Sequence, residues 1–554
     1  MRQDQPTAER KQRGAFFTPR SIAGYLARWA VADDPSARVL DPTCGESVFL
    51  VEAGRRLSAL TAENEAVRGK LYGVELHRES LEASRRRLEA AGVGARLLAE
   101  DFFLIPTPDQ LGGPLPFMDA VIGNPPYVRY QEHSGENRRR SAAAALRQGV
   151  RLTGLASSWA SVLVHACAFL KPTGRLAMVL PAELLTVGYA EPVRQWLRER
   201  FAQVHLVFFD TLQFEGALEK VVLFVARGSG GCDAFSLWYV EHADELASLA
   251  PFDNYSVTPA THGKWTDLLL PMWQRQLFKR AVAAGFTPLS GYGSPELGTV
   301  TGANHYFVLT ESRRQAYGLS EGLLRPVVPP GTKHLKGTSF TRRQWESLRD
   351  NDEQVWLLYP DRADGEPSLV GYLAVGVAAG VPDTYKCKIR TPWWRPPAVT
   401  PPDLFFTYMS HRYPRLIANT AAVTFLNSMH GIRLAADAPS TAKRALPLLT
   451  LNSVTMLGGE LFGRSYGGGL LKMEPREAAV LPVPRGQVLD DAWARIRPER
   501  DKLERWLLAG RWADVVRRVD DVLLRDVLGL SAGEIAGIAD AARALRRRRI
   551  GKED

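Results

Sequence analysis

Cysteine is scarce: there are four in 554 residues, Cys44, Cys167, Cys232 and Cys387, far apart and without a CxxC pair. That spacing argues against a disulfide framework and a structural zinc site, and fits a reducing cytoplasm. Long apolar runs are missing too, since nothing approaches the ~20 consecutive residues that span a bilayer. The first residues, MRQDQPTAERKQRG, are polar and basic with no apolar signal core. Neither membrane insertion nor secretion is expected. The ten histidines form no HxxxH or HExxH pair, and no paired carboxylates lie beside a lysine in a nuclease pattern. No metal centre and no fused nuclease are therefore expected, and no internal repeat is evident. What is present is a globular balance, 45% hydrophobic and 23% charged, at a length that corresponds to roughly two to four structural units. Lys and Arg outnumber Asp and Glu by 70 to 60, a formal charge of +10, and the resulting positive field suits a polyanion such as nucleic acid.

From Arg38 to Ala226 short apolar runs alternate with helical patterns, which predicts a mostly parallel sheet wound with helices. Strands are expected at Ala37 to Leu40, Lys70 to Glu75, Ala95 to Glu100, Met118 to Gly123, Arg175 to Leu180, Val204 to Phe209 and Lys220 to Ala226. The last two are too close for a helical crossover and predict an antiparallel hairpin at the sheet edge, giving seven strands with one reversed. The Gly/Ser interruption RGSGG (Arg227 to Gly231) is read as the end of this unit. The expected organisation is a catalytic domain over 1–230, a second domain of Pro/Gly-rich irregular sequence over 231–485, and a helical region over 486–554.

The chemistry is concentrated at strand ends. VLDPTCGESVFL (Val39 to Leu50) places an acidic residue and a small-residue turn between a strand and a helix, where open α/β sheets bind nucleotide-like ligands. Glu75, at the end of the second strand, is placed to accept hydrogen bonds from both hydroxyls of a ribose. Asp101 and Phe102, after the third, offer an acceptor for an adenine amino group beside an aromatic wall. After the fourth strand comes Asn124-Pro125-Pro126-Tyr127. Two prolines fix this backbone and remove two donors, so the Asn124 side chain and the Pro125 carbonyl present convergent acceptors to an exocyclic amino group. Holding both amino hydrogens turns the nitrogen lone pair toward an electrophile and stabilises the positive charge that develops there. Tyr127 is suited to stack on the attached ring.

These motifs, in order, resemble the amino-group DNA methyltransferases of the gamma class, the N6-adenine type found in restriction-modification systems. The resemblance rests on FFTP (Phe16 to Pro19), DPTCGESVFL (Asp41 to Leu50), GVEL (Gly73 to Leu76), EDFF (Glu100 to Phe103), GNPPY (Gly123 to Tyr127) and LQFEGALEKVVLFVA (Leu212 to Ala226). It implies a seven-stranded, Rossmann-like, class I S-adenosylmethionine-dependent methyltransferase domain. Thr18 would meet the methionine end of S-adenosylmethionine, Asp41, Pro42, Thr43, Cys44 and Gly45 would form its backbone pocket, and Glu75 with Leu76 would take the ribose. Asp101 and Phe102 would take the adenine, and Phe214 would sandwich a flipped base against Tyr127. Asn at the first position of the tetrad implies adenine rather than cytosine, with direct transfer, no covalent enzyme intermediate and no metal. One departure stands out: Ser47 occupies a position where the family has a second glycine.

An NPPY turn also serves RNA and protein-glutamine enzymes, so the rest of the chain has to name the substrate. More than 300 residues follow Gly231, including KHLKG (Lys333 to Gly337) and LFGRSYGGGLLK (Leu461 to Lys472). In Tyr385 to Pro397, Lys386, Lys388, Arg390 and Arg395 interleave with Trp393 and Trp394, a mixture that supplies phosphate contacts, groove-directed guanidinium groups and stacking rings. Gly298 to Leu309 and Leu426 to Leu434 resemble target-recognition regions of larger family members. A mixed α/β target-recognition domain, forming the other wall of a basic cleft on double-stranded DNA, is expected. Two further basic features are the polar insertion between Tyr130 and Ser157, with Arg138, Arg139 and Arg140, and the run Arg546 to Arg549. The reading is a site-specific DNA adenine-N6 methyltransferase in the cytoplasm of a bacterial or archaeal cell, associated with the nucleoid, beside a separate restriction endonuclease or defence-system protein. The alternatives are an RNA or protein amino-methyltransferase, or a catalytically silent DNA-binding specificity protein.

Overall fold

Consecutive apolar residues in the strands of the first unit face opposite sides of one sheet, and both sides are covered. Val39 packs on one face and Leu40 on the other, Ala177 and Val179 oppose Leu176 and Met178, and Leu223 opposes Phe224. Covering both faces is what makes such strands read as unbroken hydrophobic runs. The computed structural model describes residues 18–61, 69–128, 135–154, 156–209, 221–247, 249, 255–361, 366–397, 400–466 and 469–550. They fall into two units, Met1–Leu269 and Leu270–Asp554.

The first unit runs α1 (Arg20–Val31), β1 (Val39–Asp41), α2 (Val48–Thr61), β2 (Leu71–Val74), α3 (Arg78–Ala90), β3 (Arg96–Leu98) and β4 (Met118–Gly123). Then follow α4 (Gly135–Arg147), α5 (Ser158–Ala166), β5 (Leu170–Pro181), α6 (Glu191–Arg200), β6 (Gln203–Phe209), β7 (Val221–Arg227), β8 (Phe235–Val240) and β9 (Tyr255–Val257). Short helical turns lie between these elements, among them those after Asp101 and at Glu183–Thr186. The strand order is β3-β2-β1-β4-β5-β7-β6-β8-β9. β1 to β5 are parallel, and β7 is antiparallel to both β5 and β6. All seven expected strands are present. Because the chain leaves β1 toward β2 on one side and returns to pair β4 on the other, the crevice at the carboxyl ends of β1 and β4 is the topological switch point where such sheets bind ligands.

Two expectations need correction. The β6–β7 hairpin is not at the sheet edge, because β8 pairs parallel to β6 and β9 antiparallel to β8, extending the sheet to nine strands. RGSGG is accordingly a turn inside the unit rather than its end. Gly228, Gly230 and Gly231 take positive φ while the backbone passes close against the end of α6: the amides of Gly230 and Cys232 donate to the carbonyls of Arg200 and Arg198, and a Cβ on Gly231 would stand 3.2 Å from Glu199 O. The boundary therefore falls at Leu269–Leu270 instead of residue 230.

In the second unit a five-stranded sheet has the order Gly293–Leu297, His430–Leu434, Leu404–Phe406, Leu416–Asn419, Ser339–Phe340. The C-terminal helices are part of this unit, not a separate region. Ala532–Ile550 packs on Ser453–Phe462 and on Met272–Gly285. Among the described residues no single helix is long and apolar enough to cross a membrane.

Candidate active site

A cleft of about 630 Å³ opens at the switch point. Each of the first four strands contributes to it from its carboxyl end. Pro42, Thr43, Cys44 and Gly45 come from the β1 loop, Glu75 and Leu76 from β2, Asp101 and Phe102 from β3, and Asn124 and Pro126 from β4. Thr18, ahead of α1, joins them. Asp41, Pro125 and Tyr127 are not among the residues that line it.

The β1 loop is held from below by carboxylates. Asp41 is 1% exposed; its Oδ1 accepts from the Thr43 amide at 3.2 Å, and its Oδ2 is buried without a partner. Burial pushes this carboxyl up to about 8, against the opposing pull of the Thr43 amide and with a smaller push from the Glu75 charge. β4 approaches so closely that a Cβ on Gly123 would lie 2.8 Å from Asp41 Oδ1, so only glycine fits before the NPPY turn. Glu75 spans two loops, accepting from the Gly45 amide at 3.0 Å and the His77 amide at 2.8 Å. Burial also pushes the Cys44 thiol up, so it is an inert wall residue.

Ser47 explains how the loop survives without its expected second glycine. Its φ of +61° lies in the left-handed region, its side chain is fully buried, and its Oγ is hydrogen-bonded to Ser84 Oγ on α3. The serine keeps a glycine-like backbone and does not line the cleft.

After β4, the turn is tied at both ends. Asn124 Nδ2 donates to Thr18 Oγ1 at 3.3 Å, and Asn124 Oδ1 accepts from the Tyr127 hydroxyl at 2.7 Å. Tyr127 keeps only 8% of its surface exposed. Ser158, at the start of α5, braces the same turn: its Oγ donates to Pro126 O and accepts from the Val128 amide, while its own amide donates to Val128 O. Ser158 also lines the cleft. Sequence reasoning missed it, and a serine at a helix start directly after the polar insertion gives no signal that it reaches back. Phe102 is 5% exposed and packs its ring on Phe169 and His165. His165 Nε2 meets Phe102 O, and burial lowers this imidazole to about 4, so it stays neutral as an aromatic wall.

Phe214 lies outside the described residues. The polar insertion between Tyr130 and Ser157 supplies α4, whose Asn137 lines the cleft and whose Arg140 reaches Asp101.

In the second unit the Tyr385 to Pro397 segment divides. Tyr385, Lys386 and Lys388 are exposed on a short helix. Trp393 packs against Tyr306 and Phe307, Arg390 donates to the carbonyls of Lys386 and Thr301, and Arg395 is paired with Asp361 at 3.2 Å. Trp394 is half-buried. Trp393 and Arg390 thus pack inward rather than presenting a free ring and a groove-directed guanidinium. The terminal arginine run also turns inward at Arg549, whose Nη2 lies 2.7 Å from Glu460 Oε1 with both side chains buried.

Residues 3–232 match the family described as N-6 DNA Methylase, and residues 262–524 match that of the type II methyltransferase M.Eco57I, C-terminal domain. The type II methyltransferase M.AccI of Acinetobacter calcoaceticus is 22% identical over 493 residues, 87% of this chain and 86% of that one. The type II methyltransferase M.XamI of Xanthomonas campestris pv. amaranthicola is 24% identical over 485 residues, 85% of each. Among solved structures, the type IIL restriction-modification enzyme MmeI in complex with DNA has the same fold, with a TM-score of 0.54 and 14% identity over 96% of this chain and 75% of that one.

Proposed function

We propose that the chain is an adenine-specific member of the N6 DNA methylases of the restriction-modification type, and that it transfers the methyl group of S-adenosylmethionine to N6 of an adenine flipped out of duplex DNA at one short sequence. The observation that carries this reading is the convergence of the four strand-end motifs on one cleft, with the Asn124 amide at its edge.

The cleft's donor set fits S-adenosylmethionine. Thr43 Oγ1, on the cleft wall, is a buried polar atom without a partner in the chain, the state expected where a polar ligand supplies the missing bond. Bound there, S-adenosylmethionine supplies an electrophilic methyl group. The chain does the rest by binding and orientation. Glu75, already fixed by two amides, directs its free lone pairs at the ribose hydroxyls. Asp101 takes the adenine amino group, with Leu76 and Phe102 as apolar walls.

The target adenine must leave the duplex, because its amino nitrogen is stacked and paired there; unstacking costs a few kcal/mol that pocket contacts offset. Asn124 Oδ1 has one lone pair engaged by Tyr127 and one left to accept an N6 hydrogen, with the Pro125 carbonyl accepting the other. Both bonds strengthen as positive charge grows on N6. Tyr127 flanks the flipped base, and the family resemblance of Leu212 to Ala226 assigns Phe214 to the same task. In the second unit, Lys386 and Lys388 contact phosphates, while Arg390, Trp393, Trp394 and Arg395 shape the segment that carries them. A separate restriction endonuclease reads the same site. The match of residues 3–232 to the N-6 DNA Methylase family, with residues 262–524 matching a type II methyltransferase, favours DNA over an RNA or protein acceptor.

The test is single-molecule methylation sequencing of plasmid from a methylation-free host expressing the protein, beside an Asn124→Ala control. N6-methyladenine at one motif, present only with the intact chain, is the expected result. Methylcytosine, or no DNA modification alongside labelled RNA or protein, would overturn the reading.

A further inference from the structure

Asp101 has two partners, and they come from different parts of the chain. Its Oδ1 accepts from the Phe103 amide at 3.0 Å and so caps the helical turn that follows β3. Its Oδ2 faces the guanidinium of Arg140, with Nη1 at 3.4 Å. Arg140 belongs to α4, in the polar insertion after the NPPY turn, and the same guanidinium is held from behind by Glu136, Oε1 to Nε at 3.4 Å. α4 is anchored rather than loose, since Ala144 and Ala145 are fully buried, Ala145 in the core beneath the cleft. One turn before Arg140 on the same helix, Asn137 lines the cleft.

A carboxylate tethered only through Oδ1 is free to swing its other oxygen. Tethered at both, it presents the remaining lone pairs in one direction. We infer that Arg140 is a positioning residue for the cofactor: through Asp101 it fixes the acceptor that distinguishes an adenine amino group from other purine substituents, so the insertion helix is a wall of the cofactor pocket. This rests on the reading of the cleft as the S-adenosylmethionine site. It gives the insertion a role in selecting the cofactor's base, separate from any contact with DNA.

The distinguishing readout is preference rather than affinity. Binding of S-adenosylhomocysteine and of its deaminated analogue, S-inosylhomocysteine, with a carbonyl in place of the amino group, is measured by calorimetry for the full chain and for Arg140→Ala, Arg140→Lys, Asp101→Asn and the Arg140→Ala/Asp101→Asn double variant. Asp101→Asn keeps an oxygen for the Phe103 cap while losing the second acceptor. The unsubstituted chain is expected to prefer the adenosyl ligand, Arg140→Ala to lose about three- to tenfold of that preference, and Arg140→Lys to keep most of it. The double variant is expected to match Asp101→Asn alone, because Arg140 acts through Asp101. An unchanged or increased preference in Arg140→Ala, an equal loss for both ligands, or additive losses in the double variant would each overturn the inference and leave the cofactor site standing. Absence of adenosyl binding in the unsubstituted chain would instead overturn the cofactor reading, and this inference with it.

Discussion

The Tyr127 hydroxyl and Asn124 Oδ1 are joined by a 2.7 Å hydrogen bond across the two prolines between them, with Val179 O at 3.2 Å as the hydroxyl's other neighbour. The bond spans the turn and restrains the orientation of the asparagine amide. Tyr127→Phe keeps the ring and loses the tether, so methyl transfer should slow about tenfold. Asn124→Ala removes the acceptor itself and should slow transfer by about 10² to 10³. Single-turnover transfer of tritiated methyl groups measures both, and near-normal rates in Asn124→Ala would remove it from catalysis.

Ser158 makes three hydrogen bonds to the strand of chain that carries the turn. Ser158→Ala leaves Pro126 O and the Val128 amide without their partner, at about 1–3 kcal/mol. Turnover should fall about tenfold while S-adenosylhomocysteine binding stays within about twofold. A loss of cofactor binding as large as the loss of rate would mean that the serine supports the whole cleft rather than the turn.

The left-handed backbone of Ser47 predicts that two substitutions diverge. Ser47→Gly relieves roughly 1–2 kcal/mol of backbone strain and loses the Ser84 hydrogen bond, about 1 kcal/mol, so stability should change by less than about 1 kcal/mol. Ser47→Ala keeps the strain and loses the bond, and should be the less stable of the two. Thermal unfolding of both ranks them; a tenfold tighter cofactor complex in Ser47→Gly would contradict the placement of Ser47 outside the cleft.

Asp41 makes the first unit's stability depend on pH in an unusual direction. Its carboxyl is raised from 3.8 to about 8, so between these values the folded state holds a proton that the unfolded state has released. Stability contributed by this group is therefore present at the acid end and declines as pH rises through about 8. Asp41→Asn should abolish that decline. Denaturant unfolding of the cofactor-free protein at pH 5, 6, 7 and 8 provides the comparison, and parallel pH profiles for the two proteins would show that Asp41 ionises normally.

Basic residues in the second unit should separate into two behaviours. Lys386→Ala and Lys388→Ala, at exposed positions, should each lower the salt dependence of DNA binding by about one unit of slope without affecting stability. Arg549→Ala removes the paired guanidinium from buried Glu460 and leaves it only the more weakly acting charge of Arg546, and should destabilise by about 3 kcal/mol. A wild-type salt slope in both lysine variants would take the segment out of the DNA contact.

The sequence by itself determined the catalytic sheet and most of its site, because local constraints decide both. Alternating apolar runs mark buried strands, and in a parallel sheet the residues that follow each strand must gather at one end, which is why Asp41, Glu75, Asp101 and Asn124 could be placed from order alone. Tertiary structure decided what depends on neighbours distant in the chain. RGSGG reads as a linker until the end of α6 is seen packed beneath it, and β8 and β9 join the sheet only because the edge of β6 was left open. Ser158 and Arg140 become site residues through contacts across intervening loops that no local pattern encodes. Trp393, Arg390 and Arg549 carry the composition of a nucleic-acid surface, yet the Tyr306 and Phe307 rings, the Thr301 carbonyl and the Glu460 carboxylate that engage them lie far away in sequence. Composition specifies what a side chain can bind, and only the fold specifies whether an internal partner has already taken it.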